Sequence, residues 1–160
     1  FNAAGAMLDG SLGEAHTRES HIIPLALEVA SGKREEFKLN GNDYDTPDGT
    51  CIRDYIHVVD LADAHIKAAE YLAKESASVA LNLGVGKGYS NLEVLDTVER
   101  VTGKKVMRSF GPRRPGDPAK LWADNQKAKK VLGWEPKYPD LETIIETAWK
   151  WHQKSSKWDT

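Results

Sequence analysis

Residues 41–65, GNDYDTPDGTCIRDYIHVVDLADAH, constrain the fold of this chain more than any other stretch. The first half is turn chemistry. Asn42, Asp43, Asp45, Pro47, Asp48 and Gly49 supply side-chain acceptors and positions that tolerate positive φ. Arg53 and Asp54 then lead into the apolar run 55–59, a short strand. Asp60 follows as the expected N-cap of a helix, with Asp63 in its first turn, where a negative charge suits the helix dipole. A turn-rich loop thus delivers an arginine beside a strand that feeds a helix, an arrangement suited to holding an anion.

The rest of the chain alternates strand and helix signals. Residues 1–6 (FNAAGA) have the character of the end of a strand, and the first residue is Phe, which suggests that residues preceded it. Residues 7–20 form a polar loop. In residues 21–30 (HIIPLALEVA) Ile22, Leu25 and Val29 have helical spacing, with Ser20 as N-cap and Pro24 in the first turn, where its missing N–H costs little. Residues 36–40 (EFKLN) and 105–110 (KVMRSF) are expected strands, as is 79–83 (VALNL), closed by Gly84, Gly86 and Gly88. Residues 61–73 are amphipathic. Ser90 with Glu93 is a capping-box signature, and Gly103 sits where that helix should end. Asp124 and Asp140 are the expected caps of two further helices, the second with an apolar stripe through Leu141, Ile144, Ile145, Ala148 and Trp149. Trp149, Trp151 and Trp158 are assigned to packing. The class is α/β in one unit of residues 1–160, with a thin sheet.

Charge narrows the ligands. A formal net charge of −2 gives no electrostatic basis for a nucleic acid or an anionic membrane as partner, so a phosphate site must rest on a few placed arginines. No apolar run approaches the ~20 residues of a spanning helix. The single cysteine, Cys51, cannot form an intrachain disulfide and fits a reducing, cytoplasmic setting. The best cationic segment is 113–117, RRPGD, where prolines and a glycine stiffen a loop carrying two guanidinium groups. Guanidinium forks match phosphate oxygens bidentately. With Arg53, the pair Arg113 and Arg114 suggests a diphosphate clamp, and Asp117 suits sugar hydroxyls. His21, at a helix start, is a second anion-facing position, with satisfied packing as the competing assignment.

Other chemistry is not supported. Gly84, Gly86 and Gly88 fail the G-x-G-x-x-G spacing of a dinucleotide loop, because residue 89 is Tyr. Cys51 has no residue pattern that would make it a nucleophile. The five histidines show no H-x-x-x-H or Cys/His ligand spacing, so no metal site is expected, and His57 is assigned to the core.

The segments FNAAGA, GNDYDTPDGTCIRDYIHVVDLADAH, NLGVGKGYS and RRPGDPAKLWAD, in this order, resemble the UDP-glucose 4-epimerases of the extended short-chain dehydrogenase/reductase group. The resemblance implies the C-terminal, substrate-binding part of an extended Rossmann-type sugar-nucleotide enzyme of galactose metabolism. An N-terminal Rossmann domain binding NAD would then be absent from this chain, truncated just before Phe1. By position, Asn2 would touch the diphosphate of a UDP-hexose, and Phe1 would lie beside the nicotinamide end of NAD. His21 and Ile22 would meet the UDP moiety, Lys38, Leu39 and Asn40 the uracil, Arg53 and Arg114 the phosphates, and Asp117 the ribose. Leu121 would line the sugar pocket, where some members carry Tyr, leaving room for an N-acetyl group.

The family oxidises and re-reduces sugar carbon C4 with a G-x-x-G-x-x-G loop and a Tyr-x-x-x-Lys pair. Neither is present here: no tyrosine of this chain has Lys four places on. The implication is an inactive fragment that supplies UDP-sugar binding, with no catalytic residue of its own, from an enzyme of a family that is often dimeric. The competing assignments are a related NAD-dependent decarboxylase or dehydratase, a stand-alone UDP-sugar-binding module, and an α/β domain with no ligand.

Overall fold

A computed structural model describes residues 1–75 and 77–155 of this chain; Trp158 lies outside the described residues. The element order is β1 (Asn2–Ala4), α1 (Ile22–Ala30), β2 (Phe37–Asn40), β3 (Ile52–His57), α2 (Val58–Glu75), β4 (Gly88–Ser90), α3 (Asn91–Thr102), β5 (Arg108–Gly111), β6 (Lys120–Leu121), α4 (Gln126–Leu132) and α5 (Leu141–Ser155). The α/β class holds.

β3 is the hub. Its C-terminal half pairs in parallel with β1, matching Asn2 to Tyr55 and Ala4 to His57. Its N-terminal half is flanked by β4, antiparallel, and β6, parallel. β2 and β5 form a separate parallel pair. The stretch 41–57 therefore crosses from one sheet to the other. Asp48 locks that crossing: Oδ1 accepts from the Thr50 amide and hydroxyl, both at 2.8 Å, and Oδ2 accepts from the Ser90 hydroxyl. Gly49 has φ of 77°, and a Cβ there would fall 2.2 Å from the Asn42 carbonyl oxygen, so only glycine fits this turn.

The main core lies between helices and strands, where Ile23, Leu27, Leu39, Tyr55, Leu95, Val98, Ile144 and Ile145 pack together. A smaller core surrounds Trp134 with Ile56, Ala64 and Ala128. Trp134 donates from Nε1 to the Asp60 carbonyl at 3.0 Å, which answers its buried N–H.

Helix ends account for most departures from the expected boundaries. The Ser90–Glu93 capping box is complete, and Gly103 adopts the left-handed conformation at the end of α3. Asp140 Oδ1 accepts from Thr143 N–H, as expected of a cap. Asp60 is not the cap of α2. The helix starts two residues earlier, the His57 ring accepts from Val59 N–H, and the buried Asp60 carboxylate instead accepts from Lys137 and Tyr138 N–H, each at 2.9 Å. Ser20 and Asp124 also miss the cap positions, which His21 and Asn125 occupy without a side-chain bond. The expected strand 79–83 forms no ladder. A β segment needs a neighbour to hydrogen-bond; here Leu81 and Leu83 pack against the smaller core, and the Phe1 amino group donates to the Leu83 carbonyl at 3.5 Å.

Candidate functional site

β1, the loop before α1, β2, β3 and the loop after β5 enclose a cleft of about 850 Å³. Asn2, His21, Ile22, Lys38, Asn40, Arg53, Arg114 and Asp117 all line it. Three of the positions singled out in the sequence lie elsewhere. Leu39 packs its side chain in the main core, which leaves to its backbone the uracil contact expected of this strand, between two neighbours that face the cleft. Leu121 is 46% exposed on β6, in register with Arg53. Phe1 is 47% exposed at the end of β1.

The guanidinium groups are held by specific partners. Arg53 donates from Nη1 to the Ile52 carbonyl at 2.7 Å and from Nη2 to Asp117 Oδ1. The Arg53 side chain is 14% exposed, so this pair is sheltered from solvent. The donors around Asn40 set its amide orientation: the oxygen accepts from Arg114 Nε at 2.9 Å and Nη2 at 3.0 Å. Asn2 donates to the Asp54 carbonyl at 2.7 Å, which seats β1 against β3.

Arg113 departs from the expected three-arginine clamp. Its guanidinium lies 4.3 Å from the centre of the Tyr44 ring and donates to Asp43 through both side chain and carbonyl. Adjacent residues in an extended loop project to opposite sides, so one arginine serves the cleft and the other clamps the 41–49 turn.

Asp54 is the residue that sequence reasoning missed. It is fully buried, and its carboxylate accepts from Val85 N–H at 2.9 Å, Gly86 N–H at 3.0 Å and Ala123 N–H at 3.1 Å. It therefore fixes the segment leading from Arg53 and Leu121 into the loops behind them. The sequence signal is only an acid next to an arginine at the start of a strand, a pattern that is more often a surface pair. This contact also decides what the glycine loop does. A Cβ on Gly84 would fall 2.6 Å from Asp54 Oδ2 and from Ala123 Cβ, so the loop is closed onto the chain's own carboxylate. The N–H groups that would cradle a pyrophosphate are already taken, and these glycines do not fit NAD.

Cys51 lines the cleft and accepts from Asn91 Nδ2 at 3.2 Å. Burial pushes its thiol pKa up, the opposite of what a nucleophile needs. At the mouth, Glu14, His16, Glu19 and His21 converge, with ligand atoms all within 4.8 Å of one another. Burial pushes the Glu19 carboxyl up, but the His21 and Ser20 N–H groups and the His21 ring outweigh it and hold the pKa below the usual value. Sequence spacing did not suggest this group, because E-x-H-x-x-E-x-H fits neither a helix face nor a strand face.

Comparisons with known proteins agree in sequence and overall fold. UDP-glucose 4-epimerase of Lacticaseibacillus casei is 54% identical over 153 residues, 96% of this chain and 46% of the relative. A crystal structure of UDP-glucose 4-epimerase superposes with a TM-score of 0.94 at 52% identity, covering 98% of this chain and 47% of that one. A structure of UDP-glucose 4-epimerase from Bifidobacterium longum in complex with NAD+ and UDP gives 0.91 at 41%, covering 98% and 46%. The chain spans about half the length of the curated relatives it matches. The family model described as GDP-mannose 4,6 dehydratase matches residues 8–147. The chain belongs to that family.

Proposed function

We propose that this chain is the nucleotide-sugar-binding portion of an NAD-dependent UDP-glucose 4-epimerase. The observation that carries the reading is the meeting of Arg53 and Arg114, from segments far apart in sequence, in one cleft with Asn2, Asn40 and Asp117. Two guanidinium groups held by neutral or acidic partners present donors to a diphosphate, and Asp117 and Asn40 supply acceptors for hydroxyl and base edges. Similarity to relatives named as UDP-glucose 4-epimerases, over nearly the whole of this chain, supports UDP-hexose as the ligand class.

The hydride chemistry at C4 falls to NAD and to residues that this sequence does not contain. The chain's own part is to bind and orient the nucleotide. Leu121 lies outside the cleft lining, in register with Arg53 on the neighbouring strand. The support for accepting N-acetylated sugars is the resemblance alone, in which a smaller Leu stands where some members carry Tyr.

The test is turnover by the whole protein. UDP-galactose should convert to UDP-glucose with catalytic NAD, and the 160-residue chain alone should convert none. Decarboxylation or dehydration of a nucleotide sugar, with no epimerisation, would overturn the reading. Failure to turn over the UDP-N-acetylhexosamines would remove the Leu121 assignment alone.

A further inference from the structure

We infer that Glu14, His16, Glu19 and His21 form a site for one divalent transition-metal ion, of the zinc class, at the mouth of the cleft. The first observation is convergence. His21 Nδ1 lies 2.8 Å from Glu14 Oε1 and 2.8 Å from Glu19 Oε1. His16 Nδ1 lies 2.5 Å from the same Glu14 oxygen and 3.8 Å from Glu19 Oε2. A neutral imidazole nitrogen carries at most one hydrogen, so these contacts cannot all be good hydrogen bonds. Two nitrogens and two carboxylates facing one point are what a tetrahedral ion collects. Metal–ligand bonds of about 2.0–2.2 Å place its ligand atoms roughly 3.3 Å apart, and the four His–Glu pairs lie 2.5–3.8 Å apart in a group whose ligand atoms are all within 4.8 Å of one another.

Donor chemistry sets the class of ion. Two imidazoles with two carboxylates suit zinc and its neighbours, whereas calcium and magnesium prefer oxygen throughout. Four protein ligands fill a tetrahedral shell, so the centre is structural and activates no water.

The scaffold around the ligands is fixed. Glu19 Oε1 accepts from the Ser20 and His21 amides at 2.6 and 2.7 Å, orienting its carboxylate. The Glu14 carbonyl accepts from Trp151 Nε1 at 2.7 Å, tying the loop to α5. Gly13 lies against the Trp151 ring so closely that a Cβ would fall 2.3 Å away. Cleft-facing Glu14 and His21 are thus presented by anchored backbone. The metal would staple the loop 13–21 to the start of α1, where His21 and Ile22 line the cleft.

The experiment uses the 160-residue chain after chelation. Titration with ZnCl2 should show one ion per chain. Co2+ should give the intense visible bands of a tetrahedral centre, and Zn2+ should slow tryptic cleavage after the exposed Arg18. The double variant His16→Ala, His21→Ala should bind Zn2+ at least about ten-fold more weakly and lose the cobalt bands. His65→Ala, on the distant helix α2, should leave all three readouts unchanged. The half-exposed histidines are tolerant positions, and far-UV circular dichroism checks that the variants fold. No stoichiometric uptake by the parent chain, or equal affinity in the double variant, would overturn the assignment.

Discussion

Arg53 and Asp117 are ion-paired inside the cleft, joining strand β3 to the proline-bounded loop after β5. Because Arg53 also donates to the Ile52 carbonyl, its guanidinium plane is held from two sides. Further N–H donors of the fork remain for a ligand. A preset donor loses less conformational entropy on binding than a free side chain.

Asp54 carries the largest structural consequence near the site. Asp54→Ala leaves the amides of Val85, Gly86 and Ala123 without their acceptor. Ala123 N–H is a buried donor, whose loss of an acceptor costs about 1–3 kcal/mol, whereas the Val85 and Gly86 amides are nearer solvent, so the unfolding free energy should fall by at least about 1 kcal/mol. Urea denaturation followed by circular dichroism measures it. A loss below about 1 kcal/mol would mean that water replaces the carboxylate without penalty.

His57 makes stability depend on pH. Its Nδ1 accepts from Val59 N–H, so Nε2 carries the hydrogen and faces Thr147 Oγ1 at 3.0 Å. Burial pushes its pKa below the ordinary value, against the pull of Asp60 and Asp140. The neutral form is therefore favoured in the native state, while the unfolded chain takes up a proton first as pH falls. This contribution is fully present above the unfolded value of about 6.5 and is lost as pH drops from there to the folded value. His57→Gln should flatten that limb of a stability–pH curve measured by chemical denaturation; an unchanged limb would contradict the assignment.

Helix termini give a smaller, cleaner test. Asp140→Ala removes the acceptor of Thr143 N–H and should cost about 1 kcal/mol. Gly103→Ala forces a left-handed residue at the end of α3, at φ of 68°, and should also cost about 1 kcal/mol. Thermal melts of both variants check the two values.

The sequence carried the local signals well. Ser90, Glu93, Gly103 and Asp140 act where their chemistry placed them. It carried tertiary satisfaction poorly. Asp60 and Asp54 look like caps or surface partners, yet both are buried because backbone amides from distant segments seek an acceptor. Residues 79–83 have the composition of a strand but no partner strand among the described residues, and pairing is not a local property. The cleft was legible because motif residues were tied to one another by resemblance. That Arg113 turns away while Arg114 turns in depends on Tyr44 and Asp43, residues that no spacing rule connects to it.

This division between neighbouring arginines offers the most direct measurement. Calorimetric titration of the chain with UDP should show one saturable site. Arg53→Ala and Arg114→Ala should each weaken it by about ten- to a hundred-fold, the worth of charge-assisted hydrogen bonds to phosphate. Arg113→Ala, which removes a guanidinium stacked on Tyr44 outside the cleft, should stay within about two-fold of the parent. A folded chain that binds no UDP, or three variants weakened alike, would contradict the account.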